Sequence, residues 1–103
     1  MRDAGIQRFE YTFELCVKSL RRQLEAVSDS PAGLDALSFR DVIRLSVERG
    51  LIAAETVWFA YRELRSATSH VYDPANAAQV FAKLPAFYVD AQNLRRRLVA
   101  TSA

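Results

Sequence analysis

The spacing of apolar residues predicts a first helix near the amino terminus. Apolar positions recur there every three or four residues, which places them on one face of about six helical turns. They are Ile6, Phe9, Phe13, Cys16, Leu20, Leu24 and Val27. Because Cys16 falls within this stripe, it is predicted to be a core thiol rather than a nucleophile. Turn-favouring residues follow from Ser28 to Gly33, and Pro31 cannot continue a helix, so a loop is expected there.

A second helix is predicted from about Phe39 to Arg49. Ser38 can cap its first turn, and Asp41 three residues later approximates a capping box. Gly50 is placed to end the helix in a left-handed conformation. The predicted buried stripe consists of Val42, Ile43 and Val47.

A third helix is predicted after the short link Leu51-Ile52, and it carries Arg62 and Arg65 near its end. Its apolar stripe is Val57, Trp58, Tyr61 and Leu64.

A fourth helix is predicted to begin at Asp73-Pro74, because Asp can cap free N–H groups and Pro has no N–H to leave unpaired. Apolar residues keep helical spacing on both sides of Pro85, which indicates a kinked helix or two helices in near register. These residues are Ala77, Val80, Phe81, Leu84, Phe87, Tyr88, Ala91, Leu94 and Leu98. The pattern predicts a single all-α domain over residues 1–103, an up-and-down antiparallel helical bundle of four to five helices.

Composition excludes several classes of protein. The longest apolar run, Val57 to Tyr61, is far shorter than the ~20 residues that cross a bilayer. The first residues lack the apolar stretch of a secretory signal, so a cytoplasmic protein is expected. Cys16 and His70 are the only residues of their types, so one chain cannot assemble the usual Cys/His zinc site, and no metal or cofactor is predicted.

Charge adds little to this picture. The net charge of +2 is too weak to indicate nucleic-acid binding by itself. The local basic groups, such as Arg95 to Arg97, are typical of solvated helix faces. Glu10 and Glu14 have an ordinary surface-helix spacing, and the sequence assigns them no functional role.

The segment from Arg65 to Tyr72 carries the candidate chemistry. On a continuous helix, a five-residue separation rotates two side chains apart by roughly 140°, so Arg65 and His70 converge only if the helix ends between them. Ser66, Thr68 and Ser69 favour that ending because they bond to nearby backbone groups. A histidine at a helix end beside an arginine is an acid–base candidate. The alternative is that His70 only caps backbone carbonyls.

The same segment resembles a known signature. Arg65-x4-His70-x-Tyr72 is similar to the Arg-x4-His-x-Tyr motif of the HepT-like branch of HEPN proteins. Further similar stretches lie at 6–15, 40–44, 50–52 and 68–73. Together they resemble the nucleotidyltransferase substrate-binding proteins over nearly the whole chain. Relatives usually carry a further helical stretch before the first block and often have Asn where this chain has Ser66.

The resemblance implies a function and a partner, a small nucleotidyltransferase encoded nearby. In the best understood branch, the HEPN protein is a toxin with metal-independent ribonuclease activity, and the nucleotidyltransferase neutralises it by attaching AMP. That assigns catalysis to Arg65 and His70, and AMP modification to Tyr72, with substrate binding by the neighbouring Arg62, Ser66 and Ser69.

Other readings of the same resemblance stay open. The chain is alternatively a non-catalytic subunit that recruits substrate to the nucleotidyltransferase, or a helical interaction module with a structural motif.

Cleavage of RNA benefits from both a base and an acid, and one chain has a single imidazole. A homodimer is therefore expected, because a two-fold interface brings a second His70.

Overall fold

The structure, a computed structural model, describes residues 4–27, 37–68 and 74–102. These residues contain four helices. They are α1 (Ala4–Val27), α2 (Phe39–Glu48), α3 (Glu55–Ala67) and α4 (Pro74–Ser102), and these residues include no strand. The predicted all-α fold is confirmed. The predicted loop at 28–33 lies outside the described residues, as does the capping Asp73. None of the described helices is long and apolar enough to span a bilayer.

Local sequence signals fix both ends of α2. The Ser38 hydroxyl accepts a hydrogen bond from the backbone N–H of Asp41 at 3.2 Å, as its capping position predicts. At the other end Gly50 has a φ of +75°, the left-handed conformation expected of it. Ser46 is buried with Val42 and Ile43, and the predicted Val47 is partly buried against the same core. Its hydroxyl is satisfied within the helix, because it donates to the Val42 carbonyl at 2.7 Å.

Aromatic rings from three helices meet at the centre of the core. Phe87 of α4 is fully buried. The centre of its ring lies 4.9 Å from that of Phe9 of α1 and 5.1 Å from that of Tyr61 of α3, and both contacts are edge-to-face. Leu51 and Ile52, predicted to be a link, are also buried in this core. The turn between α2 and α3 therefore contributes to packing as well as to connection.

Three residues predicted to be buried are exposed instead. Val57 and Phe81 directly neighbour the buried residues Trp58 and Val80. Adjacent helical residues are rotated by about 100°, so only one of each pair faces the core. Val27 is the last residue of α1 and is exposed there.

Pro85 lies inside α4, which continues through it as one helix. Of the two predicted alternatives, a kinked helix or two helices in near register, the second is therefore wrong. Leu84 and Phe87 on either side of Pro85 are both buried, so the helical phase is kept. Pro85 has no N–H to donate to the Phe81 carbonyl, and both residues are exposed at the surface of α4.

The long helices alternate in direction. The turn that precedes α3 meets the end of α4, where Arg97 donates to the Gly50 carbonyl at 3.3 Å. Farther along α3, Tyr61 bonds to Asp90, which comes earlier in α4. α3 also runs opposite to α1. As a result α1 and α4 run in the same direction, with the Arg8 guanidinium 5.5 Å from the centre of the Tyr88 ring.

Candidate functional site

Helix α3 ends between the two residues of the predicted catalytic pair, at Ala67. Thr68 follows as the cap and is buried, and its N–H bonds to the Leu64 carbonyl. Its hydroxyl oxygen lies 2.6 Å from the carbonyl oxygen of Arg65, which closes the last turn through a side chain. The predicted helix end is confirmed, and it places Arg65 in the final turn.

Two carboxylates of α1 hold the guanidinium of Arg65. Its Nη1 donates to Oε2 of Glu10 at 3.0 Å, and its Nη2 donates to Oε1 of Glu14 at 2.8 Å. Nη1 also lies 3.3 Å from the hydroxyl of Thr68, which is itself 2.7 Å from the same Glu10 oxygen. Charge-assisted bonds of this length fix the guanidinium in one orientation.

The two carboxylates have different environments. The Glu10 side chain is 9% exposed and the Glu14 side chain is 62% exposed. A buried carboxylate needs a partner because it has lost its hydration, whereas an exposed one can exchange its partner for water. Glu10 is therefore the structural anchor of Arg65, and Glu14 is a displaceable partner.

This pairing was not predicted from the sequence. Glu10 and Glu14 have the spacing of surface carboxylates, yet they bind an arginine 55 and 51 residues away. One signal was present: Glu10 lies four residues after Ile6 and three before Phe13, at the edge of the buried stripe. A carboxylate in that position calls for a cationic partner.

The electrostatics of this Glu10–Glu14–Arg65 cluster limit what it can bind. Two carboxylates face one guanidinium, so these three groups carry a net charge of −1. The described contacts use three of the five N–H groups of Arg65. Its Nε is buried and has no hydrogen-bond partner among the described residues. The guanidinium is thus preorganised, and it offers Nη2 to an anion once Glu14 moves aside.

The other predicted site residues are only partly placed. The Arg62 guanidinium lies 4.8 Å from the centre of the Phe39 ring, in a cation–π contact with α2 rather than in the cluster around Arg65. Ser66 is exposed on the last turn of α3. His70, Tyr72 and Ser69 lie outside the described residues.

The sequence of residues 1–100 matches the family described as nucleotidyltransferase substrate binding protein like. The chain belongs to this family. The resemblance found from the motif residues is thereby confirmed, and it extends well beyond the Arg65 to Tyr72 segment.

A match in sequence and a match in structure, both from Haemophilus influenzae, agree with this assignment. The chain is 36% identical over 94 residues to a protein named probable ribonuclease HepT, covering 91% of this chain and 64% of that protein. It also resembles a solved structure described as the fold of a substrate binding domain of a nucleotidyltransferase, with a TM-score of 0.87 and 35% identity. That match covers 90% of this chain and 69% of the solved one. The chain thus spans about two-thirds of the length of each relative.

Two buried titratable groups of this family member are not among the hydrogen-bond partners of Arg65. Burial raises the pKa of the Cys16 thiol to about 11, which fits the predicted core thiol and leaves little thiolate near neutral pH. Burial also raises the pKa of Tyr61, and the hydrogen bond and negative charge of Asp90 add to that effect. Both groups are neutral near pH 7, and their environments suit structural roles.

Proposed function

We propose that this chain is the helical partner of a small nucleotidyltransferase and cleaves RNA without a metal ion, with Arg65 and His70 as the catalytic pair. The observation that carries the proposal is the preorganised guanidinium of Arg65 at the end of α3, five residues before His70. The ribonuclease activity is proposed from the name of the sequence relative, and the nucleotidyltransferase from the description of the solved structure. The family membership supports the partnership most directly.

The chemistry assigns different tasks to the two residues. An imidazole with a pKa near ~6.5 can accept the proton of a ribose 2′-hydroxyl or return one to the leaving oxygen. Arginine stays protonated, so it cannot act as the base, but its donors suit the phosphate oxygens that gain charge in the transition state. RNA binding then requires Nη2 of Arg65 to exchange Glu14 for a phosphate oxygen, while Glu10 keeps its bond to Nη1.

Tyr72 is the proposed acceptor of AMP. Its phenol oxygen attacks the α-phosphorus of ATP, the bond to pyrophosphate breaks, and the phenol proton leaves to a base of the nucleotidyltransferase. Tyrosine has an ordinary pKa of ~10, so the nucleotidyltransferase has to activate it. The new phosphate would compete with RNA phosphate for Arg65.

We also propose a homodimer in which two His70 side chains approach a two-fold axis, because acid and base roles call for two imidazoles. Light scattering at micromolar concentration tests this assembly. A monomer that still cleaves RNA would contradict it.

A second function is favoured by a specific observation. Because Glu14 occupies Nη2 of Arg65 and is itself negative, it competes with a phosphate for that position unless it moves away. This favours the alternative of a non-catalytic subunit that presents substrate to the nucleotidyltransferase. Glu14→Gln separates the two cases: it should raise RNA affinity several-fold if Arg65 binds phosphate, and leave it unchanged if Arg65 is purely structural.

The deciding experiment uses purified protein, RNA and EDTA. Arg65→Ala and His70→Ala should each lower cleavage by on the order of 10²–10³-fold. Arg95→Ala, on α4, should weaken RNA binding and its salt dependence only. Cleavage that needs a divalent ion, or that persists in His70→Ala, would favour the substrate-presenting subunit.

Coexpression with the nucleotidyltransferase, followed by intact mass, tests the modification. We expect the mass of one AMP on the wild-type chain and none on Tyr72→Phe. Equal modification of both chains would exclude Tyr72 as the acceptor.

A further inference from the structure

Two arginines and two phenylalanines join α2 to α3 in a reciprocal arrangement. The Arg62 guanidinium of α3 lies 4.8 Å from the centre of the Phe39 ring of α2. In return, the Arg40 guanidinium of α2 lies 4.8 Å from the centre of the Phe59 ring of α3. The centres of the two rings are 6.3 Å apart. This group of four side chains, here called the arginine clasp, holds two guanidiniums against two adjacent rings.

A guanidinium that stacks on a ring keeps its donors for other partners. The ring covers one face of the planar group, and five N–H groups remain along its edge. Neither Arg40 nor Arg62 forms a side-chain hydrogen bond or an ion pair within the described part of the chain. Both residues are exposed. The clasp therefore presents oriented donors and an open planar face to solvent.

The carboxylates that neighbour the clasp in the sequence are directed elsewhere. Asp41 accepts a hydrogen bond from the Ser38 hydroxyl at 3.1 Å. Glu55 lies 3.9 Å from the guanidinium of Arg44. Glu63 is exposed and is rotated by about 100° from the arginine that precedes it in α3. None of these three carboxylates forms an ion pair with an arginine of the clasp, so the clasp favours an anionic ligand.

The clasp lies on the side of α3 that leads to the candidate catalytic pair. Phe59, Arg62 and Ser66 follow one another at steps of three and four residues, which places them on one face of α3. Arg65 lies three residues after Arg62, about 4.5 Å farther along the helix axis. A polymer that contacts the clasp can therefore continue along α3 to the helix end that precedes His70.

From these observations we infer that the arginine clasp binds single-stranded RNA and guides it along α3. The edges of both guanidiniums donate to phosphate oxygens, and their open faces stack on unpaired bases. The inference rests on the proposed function, in which RNA is the substrate. It extends the predicted substrate-binding role of Arg62 to Arg40, and it assigns to Phe39 and Phe59 the task of orienting both groups.

Single-stranded DNA separates binding from cleavage, because it has phosphates and bases but no 2′-hydroxyl to attack. Fluorescence anisotropy of a labelled strand of about eight nucleotides measures the affinity of the wild-type chain in EDTA. RNA of the same sequence measures the affinity of His70→Ala. Both strands should bind more weakly as salt rises. A hairpin in which the same bases are paired should bind at least about threefold more weakly, because its bases stack on one another.

Removal of one charge at a time locates the site. Arg40→Met and Arg62→Met should each weaken binding about five- to tenfold and reduce the salt slope by about 0.7, as expected for one phosphate contact. The matched control is Arg49→Met, at the exposed opposite end of α2 and about 13 Å along that helix from Arg40. It should change the affinity less than about twofold. Methionine keeps an apolar stem against each ring, so circular dichroism should show an unchanged fold.

Two variants that keep every charge test the stacking. Arg62→Lys loses the planar face, so it should keep the salt slope and still weaken binding roughly two- to fivefold. Phe59→Leu removes the ring that orients Arg40, and it should weaken binding by a similar factor without a change in salt slope. Full affinity in both variants would overturn the role given to the rings and to base stacking.

The outcomes for the clasp and for the proposed function are separable. If Arg40→Met and Arg62→Met bind single strands as tightly as the wild type, the inference is overturned, even where the wild-type chain cleaves RNA. If both variants weaken binding and the wild-type chain cleaves no RNA, the clasp stands and the ribonuclease activity is rejected. Poly-glutamate that competes as strongly as RNA would overturn the inference by making the clasp a site for an acidic polypeptide.

Discussion

Replacing Glu10 with glutamine isolates the charge that anchors Arg65. Glutamine keeps the length of the side chain and an oxygen that can accept from Nη1 of Arg65, so the change removes the negative charge with little loss of volume. Thr68 tolerates it, because its single hydroxyl proton can turn to the Arg65 carbonyl, whose oxygen lies 2.6 Å away. The loss in stability therefore reports on the negative charge of Glu10.

The environment of each group sets the magnitude. Glu10→Gln keeps a hydrogen bond to the charged guanidinium but removes the opposite charge from a mostly buried position. It should therefore lower the free energy of unfolding by about 1–2 kcal/mol, more than the ~0.2–1 kcal/mol typical of an exposed ion pair. The 29% exposure of the Arg65 side chain keeps the value below the ~3–5 kcal/mol typical of breaking a fully buried pair. For a domain of this size that corresponds to a fall in Tm of roughly 5–15 °C.

Glu14→Gln is the matched control, since it removes the same charge from the same guanidinium at an exposed position. It should cost less than about 0.5 kcal/mol. Urea denaturation followed by circular dichroism measures both variants, and combining each with Arg65→Met gives the coupling energies. Equal losses for the two variants, or a Glu10–Arg65 coupling below about 0.5 kcal/mol, would refute the division into anchor and displaceable partner.

Three further predictions concern the core and one turn. Burial raises the pKa of the Cys16 thiol from 9.0 to about 11, so the folded state holds the thiol proton more tightly than the unfolded state does. The stability that this thiol contributes should therefore be lost as pH rises from about 9 to about 11, and urea titrations of Cys16→Ala should lack this pH dependence. Tyr61→Phe removes a hydrogen bond to the partly hydrated Asp90 and should cost about 1 kcal/mol by the same method, whereas no loss would show that water replaces the bond fully. Gly50→Ala should lower the free energy of unfolding by about 1–2 kcal/mol. The loss comes from backbone strain at a positive φ, because an added Cβ meets no atom within 4 Å. Gly50→Asn should recover part of that stability in thermal melts.

The sequence alone determined the features that depend on neighbouring residues. Ser38, Asp41 and Gly50 set the ends of α2, and Pro74 begins α4, because capping and turn chemistry act over a few bonds. The end of α3 between Arg65 and His70 is likewise set by neighbouring residues, above all by Thr68. Apolar periodicity found the buried stripes, and it failed only at their edges, as at Val57.

The tertiary structure alone decided what depends on distant parts of the chain. The pairing of Arg65 with Glu10 and Glu14 joins residues more than 50 positions apart, and no short pattern encodes such a contact. The packing of α1 against α4 likewise joins two helices at opposite ends of the described chain. Periodicity shows that a face is apolar, but only packing shows whether another helix covers it, because burial is a property of the assembled surfaces.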